Sequence, residues 1–300
     1  MARKARKARK ARTQRVKLKP ESCYVFVLLS LTSLYCYTFN IEQCNNMSIT
    51  TLRTFLRRTA PCRLVGSGRL KGFQKQEAGR LVGHKLRGLT KLLEKLHSKG
   101  TLPSITRSTN GRRPGGAWRG KNGGRRIGAA VDAQLTSIVN GVRSKSRTQL
   151  RLTRATLAAL QFAKLKPVIA QRSVLYERHG DIASAADVIA MRGDDELVIV
   201  ELKTGHDNGR SAAATQRGVS QHMCNPLRRA SDCVLHRHMA QLAATHHMFI
   251  SERETMTRLR ELGITRVSGV LLYVNDEAVD YIELTEWWTK KAASVLRAVV

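Results

Sequence analysis

Acidic residues are what the first part of this chain lacks. Residues 1–130 hold 30 Lys+Arg against 4 Asp+Glu, whereas residues 131–300 hold 23 against 18, so most of the formal net charge of +31 comes from the first stretch. The second stretch therefore has an ordinary globular composition. The first is a basic extension, whose natural partners are polyanions, nucleic acid above all, or an organellar import route. Cysteine is sparse and unpatterned: Cys23, Cys36, Cys44, Cys62, Cys224 and Cys233 show no framework spacing. That argues against a disulfide-built fold and fits free thiols in a reducing compartment. Cys224, Cys233, His236 and His238 lack the close-paired spacing of a zinc site, which argues against zinc. Of apolar runs, residues 22–39 reach 18 residues, just enough to span a bilayer.

Taken in order, residues 1–19 carry ten Lys+Arg and no acid in an Ala-Arg-Lys repeat. Such a run of like charges repels itself and stays disordered unless bound. The basic flank before residues 22–39 fits a membrane anchor or a secretory signal, although Ser22, Ser30, Thr32, Ser33 and Thr38 weaken both readings. From Met47 the chain is hydroxylated, Arg-rich and free of acids between Glu42 and Glu77. Leu52, Phe55 and Leu56 fall on one helical face and Arg53 and Arg57 on another, as in a mitochondrial transit peptide.

The expected organisation is a basic run plus apolar segment over 1–46 (anchor, signal or upstream extension), then a transit peptide over 47–76. A basic helix and a Gly/Arg-rich linker follow over 77–124, and a folded domain over 125–300. Within the third segment, residues 78–99 are read as a helix with Leu81, Leu89, Leu92, Leu93 and Leu96 on its apolar side. The linker offers Trp118 to stack on a base. Mitochondrial location follows from the transit-peptide reading. The alternatives are a nuclear protein with a nucleic-acid-binding arm, or a membrane-anchored one contacting the bilayer through 22–39.

The chemistry concentrates in residues 183–205, ASAADVIAMRGDDELVIVELKTG. Alternation through Ala186–Met191, a polar turn at Arg192–Asp195 and the apolar run Leu197–Val200 predict a β-hairpin. Its second strand ends on Glu201-Leu202-Lys203, and its first carries Asp187. Period-two geometry puts Glu201 and Lys203 on one face. Two carboxylates and one ammonium converging at a strand end neutralise one another poorly. A divalent cation between Asp187 and Glu201 resolves the conflict, and oxygen donors suit Mg²⁺ or Mn²⁺.

This arrangement resembles the PD-(D/E)XK nuclease superfamily, in which an acid, a hairpin and then acid-x-Lys form the signature. Lys203-Thr204-Gly205 adds the ending common in its RecB-like exonuclease branch, while Ala186 stands where proline often precedes the first acid. Gly128-Ala129-Ala130-Val131-Asp132 matches the branch's first-helix pattern, with Asp132 where a histidine is common. Gln241 matches a helical glutamine that contacts substrate, but the tyrosine expected four residues later is Thr245.

The resemblance implies an α/β (α+β) fold with a restriction-endonuclease-like mixed central sheet flanked by helices, behind a basic, largely disordered N-terminal extension. It implies Mg²⁺-dependent (or Mn²⁺-dependent) hydrolysis of DNA phosphodiesters, in exonuclease form on single-stranded ends, serving genome maintenance, with no small-molecule cofactor. Asp187 and Glu201 would hold the metal, assisted by Asp132, and Lys203 would orient water and neutralise phosphate charge. Gln241, Arg237 and His238 would contact the strand. The competing function is a non-catalytic basic nucleic-acid-binding protein, RNA- or ribosome-associated, for which the basic arm alone suffices.

The remaining elements are read as follows. Ile127–Val142 forms a helix burying Val131, Leu135, Ile138 and Val139, and Thr148–Lys166 a second one stopped by Pro167. Val168–Tyr176 forms a strand, with Glu177 and Asp181 as turn acids. A polar loop runs from Lys203 through Asn225 and could cover the substrate groove, and a helix spans Leu227–Ser251. Residues 267–284 make a closing hairpin, and Thr285 caps a last helix holding Trp287 and Trp288.

Overall fold

The computed structural model describes residues 48–65, 72–77, 80–97, 123–142, 149–177, 181–204, 222–274 and 279–300. The basic repeat, the apolar segment 22–39, Trp118 with its linker and residues 205–221 of the loop after the Lys203 strand lie outside them. Among the described residues no helix is long and apolar enough to cross a membrane.

An eight-stranded mixed sheet carries the fold. Its centre is β5 (Ile182–Arg192), which pairs antiparallel with β4 (Leu165–Tyr176) on one edge and with β6 (Glu196–Thr204) on the other. Next to β6 runs β7 (Arg266–Val274), parallel, and then β8 (Val279–Glu283), antiparallel. Three further strands extend the sheet beyond β5: β1 (Cys62–Val65), β2 (Gly72–Glu77) and β3 (Arg80–Gly88), the last meeting β5 through Arg87–Ile182 and Gly88–Ala183.

Both faces of the central strands are apolar, because helices cover both. On β6, Leu197 and Ile199 join the core under α5 (Val234–Ile250) and α7 (Glu286–Val299), while Val198, Val200 and Leu202 join a second core. That second core lies under α3 (Gly123–Val139) and α4 (Arg151–Phe162). This two-sided burial explains why β6 reads as a continuous apolar run and not an alternating one. Trp288 is buried against α7's partners and meets Trp287 edge-on, with ring centroids 4.7 Å apart.

Several elements differ from the sequence reading. Residues 80–88 are strand, Leu89–Leu93 is α-helix (α2) and Glu94–Leu96 is a single 3₁₀ turn, so the supposed apolar stripe of one basic helix belongs to three elements. Leu89, Leu93 and Leu96 are nonetheless buried. α4 ends at Phe162, and Pro167 lies inside β4, next to a register shift. Proline is tolerated there because, among the described residues, β4 pairs only with β5 and its other edge has no strand beside it. Residues 227–233 precede α5 as turns and bends, and a helix absent from the reading, α6 (Arg253–Glu261), follows it. Ile138 is 43% exposed, on the outer side of α3. Thr285 occupies the N-cap of α7 but its side chain makes no capping bond.

The described part of 47–76 is a packed piece of the fold. α1 (Ile49–Arg58) is capped by Ser48, whose Oγ accepts from Thr51 N at 3.1 Å. Its Leu52 and Leu56 are fully buried in the core that also holds Ile189 and Phe249. Arg53 Nε donates to Val168 O at 2.7 Å, tying the helix to β4. The physical unit thus begins well before residue 125 and takes in α1 through α2.

Candidate active site

The hairpin ladder between β5 and β6 runs from Arg192–Glu196 to Val188–Val200 and stops there. Farther along that edge β3 reaches only Ala183, so among the described residues Ser184–Asp187 have no strand partner on it. Leu202, two residues beyond Val200, still aims its N–H toward β5. It finds a side chain: Leu202 N donates to Asp187 Oδ2 at 2.8 Å. The other carboxylate oxygen, Oδ1, accepts from Gln171 Nε2 on β4 at 3.1 Å. Asp187 is therefore held from two strands, at the point where the sheet opens.

Glu201 and Lys203 share the face of β6 that α5 covers. Lys203 Nζ donates to Glu201 Oε1 at 2.5 Å and to Gln241 Oε1 at 3.3 Å. Gln241 Nε2 donates to the same Glu201 oxygen at 2.7 Å. Four of the residues singled out from sequence, Asp187, Glu201, Lys203 and Gln241, thus converge. Asp132 on α3 is near enough to act electrostatically on both Glu201 and Lys203. Gly128, one turn earlier, lets α3 approach: a Cβ there would lie 3.3 Å from Thr204 Oγ1.

Burial governs the charges. It pushes the Glu201 carboxyl up to about 7, against the pull of Lys203 and with the repulsion of Asp187 added. Burial likewise raises Asp187, opposed by Lys203, by the Leu202 N–H and by Gln171. For Lys203, burial acts downward, but Glu201 and Asp187 outweigh it, so the ammonium titrates above its usual range. With both acids ionised the pocket carries one more negative charge than its ammonium neutralises, and burial makes that surplus costly.

That surplus, with oxygen donors on both acids, fits a hard divalent cation. Among the described residues no group of three or more His, Cys, Asp or Glu is arranged as a metal cage. Mg²⁺ does not require one, because it keeps several waters and is commonly held by one or two carboxylates. Asp187 and Glu201 are the two that could hold it.

The other expected contacts are distributed differently. Arg237 is engaged by buried Asp232, Nε to Oδ1 at 2.6 Å and Nη2 to Oδ2 at 2.9 Å. A guanidinium fixed in this bidentate way is an ion-pair partner within the fold and not a spare phosphate contact. His238 Nδ1 lies 2.8 Å from the hydroxyl of Tyr273, whose β7 position is directly beside Lys203. Thr245 is buried, with Oγ1 3.0 Å from Ser184 Oγ, so it locks α5 to β5 where the resemblance would put a substrate-facing tyrosine. Glu177 pairs with Lys75 at 3.2 Å and stays at the surface. His236 Nδ1 lies 2.8 Å from Ser231 O.

Sequence reasoning missed Gln171 and Tyr273. Each sits in an ordinary-looking strand, and nothing local marks it. No protein-family model matches the chain, and no curated protein matches it.

Proposed function

We propose that this protein is a Mg²⁺- or Mn²⁺-dependent nuclease hydrolysing DNA phosphodiesters, an exonuclease working from single-stranded ends in genome maintenance. The observation that carries the reading is the hydrogen-bonded trio of Glu201, Lys203 and Gln241 beside Asp187, itself held by the Leu202 N–H, at an opening in the sheet. The order α4, β4, β5, β6, α5, α6, β7 contains the α-β-β-β-α-β core of the PD-(D/E)XK superfamily, with α6 added before β7 and a parallel β6–β7 pair. On this reading the sheet is of the restriction-endonuclease-like kind.

In this mechanism Asp187 and Glu201 would hold the cation, and Asp132 would add negative field from α3. The chemistry Mg²⁺ would supply there is Lewis-acid activation of water and compensation of phosphoryl charge. Lys203, kept protonated by the acids beside it, serves as a fixed positive charge toward a phosphate oxygen and not as a base. Gln241, bonded to both Glu201 and Lys203, keeps their relative orientation and has an amide to offer the strand. His238, beside Tyr273, lies along the same edge and is the further nucleic-acid contact.

The test is digestion of end-labelled single-stranded, double-stranded and circular DNA with Mg²⁺ or with EDTA. Asp187→Ala, Glu201→Ala and Lys203→Ala are each expected to lower cleavage by roughly a thousandfold or more while the protein remains folded. Metal-dependent cleavage by Lys203→Ala at the wild-type rate would refute the assignment. Binding without cleavage, indifferent to metal, would point instead to the non-catalytic nucleic-acid binder. Mitochondrial location is proposed with its address placed upstream of Ser48, since the acid-free stretch from Met47 holds α1 and buries Leu52 and Leu56 in the core.

A further inference from the structure

Gln171 departs from everything around it. It lies inside β4, yet its φ is +55°, the left-handed region that a residue with a long side chain seldom adopts. The β4–β5 ladder registers Ala170 with Val188 and Arg172 with Ala186, and the intervening position, Gln171 against Asp187, is skipped. The distortion is thus local to one residue pair, and that pair is joined through its side chains, Gln171 Nε2 to Asp187 Oδ1 at 3.1 Å. Strained backbone of this kind persists where the surroundings demand it.

The surroundings here are well made. Arg172, the next residue, is anchored by a buried ion pair to Glu252. Ala170, the preceding one, has its N–H and C=O both bonded to Asn140, at 2.9 and 3.1 Å. With both neighbours pinned, the left-handed turn at Gln171 delivers its amide to the acid across the ladder. Asp187 then has one oxygen fixed by that amide and the other by the Leu202 N–H. The plane of the carboxylate is set from both sides, and each oxygen keeps a lone pair for a further partner.

We propose that Gln171 is a positioning residue: it orients Asp187 from β4, and the left-handed kink in that strand serves this purpose. The inference rests on the nuclease reading only for what Asp187 is oriented toward, namely a divalent cation; the orientation itself is independent of it. Groups that hold a ligating carboxylate from behind typically change metal affinity 10–100-fold when removed.

Two substitutions separate backbone from side chain. Gln171→Gly keeps the left-handed conformation at no steric cost and deletes the amide. Gln171→Asn also tolerates that conformation but is one methylene short of Asp187. Two readouts are needed. Titration of the DNA-free proteins with Mn²⁺ by calorimetry is expected to show affinity reduced at least tenfold in both variants. Hydrogen exchange of the Leu202 amide, measured in EDTA, is expected to be at least tenfold faster in both, because Asp187 no longer holds its acceptor oxygen still.

Unchanged Leu202 exchange in Gln171→Gly overturns the proposal, whatever the metal does. Faster exchange in a protein whose wild type binds no Mn²⁺ leaves the positioning role standing and removes the metal reading. Normal Mn²⁺ affinity in both variants, with a wild type that binds, overturns the proposal as stated.

Discussion

Arg172 and Glu252, 80 residues apart, form a bidentate ion pair with Nη1–Oε1 at 2.7 Å and Nη2–Oε2 at 2.6 Å. The arginine side chain is wholly buried and the glutamate 11% exposed. The same guanidinium donates to Ser173 O and, more weakly, to Thr59 O and Leu56 O at the end of α1, and it lies 5.0 Å from the ring centre of Phe249. One side chain thus joins β4, α1, α5 and the start of α6. Deleting one member of such a pair strands the other charge, at about 3–5 kcal/mol. Arg172→Met should therefore lower stability by about that amount in urea unfolding, and the double variant Arg172→Met/Glu252→Met should regain much of it. A single variant that melts like wild type would show the pair to be ornamental.

The acids of the site should behave in the opposite way. Asp187 and Glu201 are buried beside a single ammonium, and burial raises both. Glu201→Gln removes a poorly compensated charge while keeping shape and an oxygen for Lys203 and Gln241. In EDTA it is expected to raise the melting midpoint, by the equivalent of about 1–2 kcal/mol, and to abolish cleavage in Mg²⁺. Thermal melts of variant and wild type, run side by side, decide it. Loss of stability in Glu201→Gln would mean that its ionised form contributes to the fold.

pH dependence follows with a definite sign. The Glu201 carboxyl titrates near 4.5 unfolded and about 7 folded, so between those values the folded state binds more protons. Metal-free stability from this group is thus greatest below about pH 4.5 and falls as pH rises toward 7, with no further change above. At about 1.4 kcal/mol per pH unit the fall is on the order of 3 kcal/mol. The comparison to make is urea unfolding at pH 5 and pH 8 for wild type and Glu201→Gln, whose slope should be flatter. Equal slopes would contradict the assignment.

The position of α1 bears on where the chain can be cut. Burying Leu52 and Leu56 is worth about 1.5–3 kcal/mol each. A protein beginning at Ser48 should retain the full melting temperature, and one beginning at Pro61 should be strongly destabilised or insoluble. Mass spectrometry of the protein isolated from its own cells should find a mature N-terminus at or before Ser48. A mature chain starting after Thr59 would rule out this role for α1.

The hairpin and its three charged residues could be read from sequence because both signals are local. Apolar alternation and the Arg192–Asp195 turn fix the strands, with Gly193 at φ +63° in the turn. Period two then puts Glu201 beside Lys203. Strand β3 was not legible: Leu81 ends up in a strand and Leu89 and Leu93 in the helix after it, and together they imitate one helical stripe. Arg237 looked available because its partner, Asp232, sits in the turns before α5, where sequence reading had placed helix. Gln171 had no signal at all. Its importance arises from a skipped position in a ladder, which exists only once β4 and β5 have met.

The parallel pairing of β6 with β7 has one more effect. Two strands running the same way oblige the helix between them to travel backward, and α5 does so: His238 meets Tyr273 near the finish of β7, and His246 meets Val267 near its beginning. The amino pole of α5, which carries a partial positive charge, is thereby brought to the edge where Glu201 and Lys203 sit. The order in which the chain visits its strands thus sets the polarity of the field there, tilting it toward an incoming anion before any basic side chain is counted.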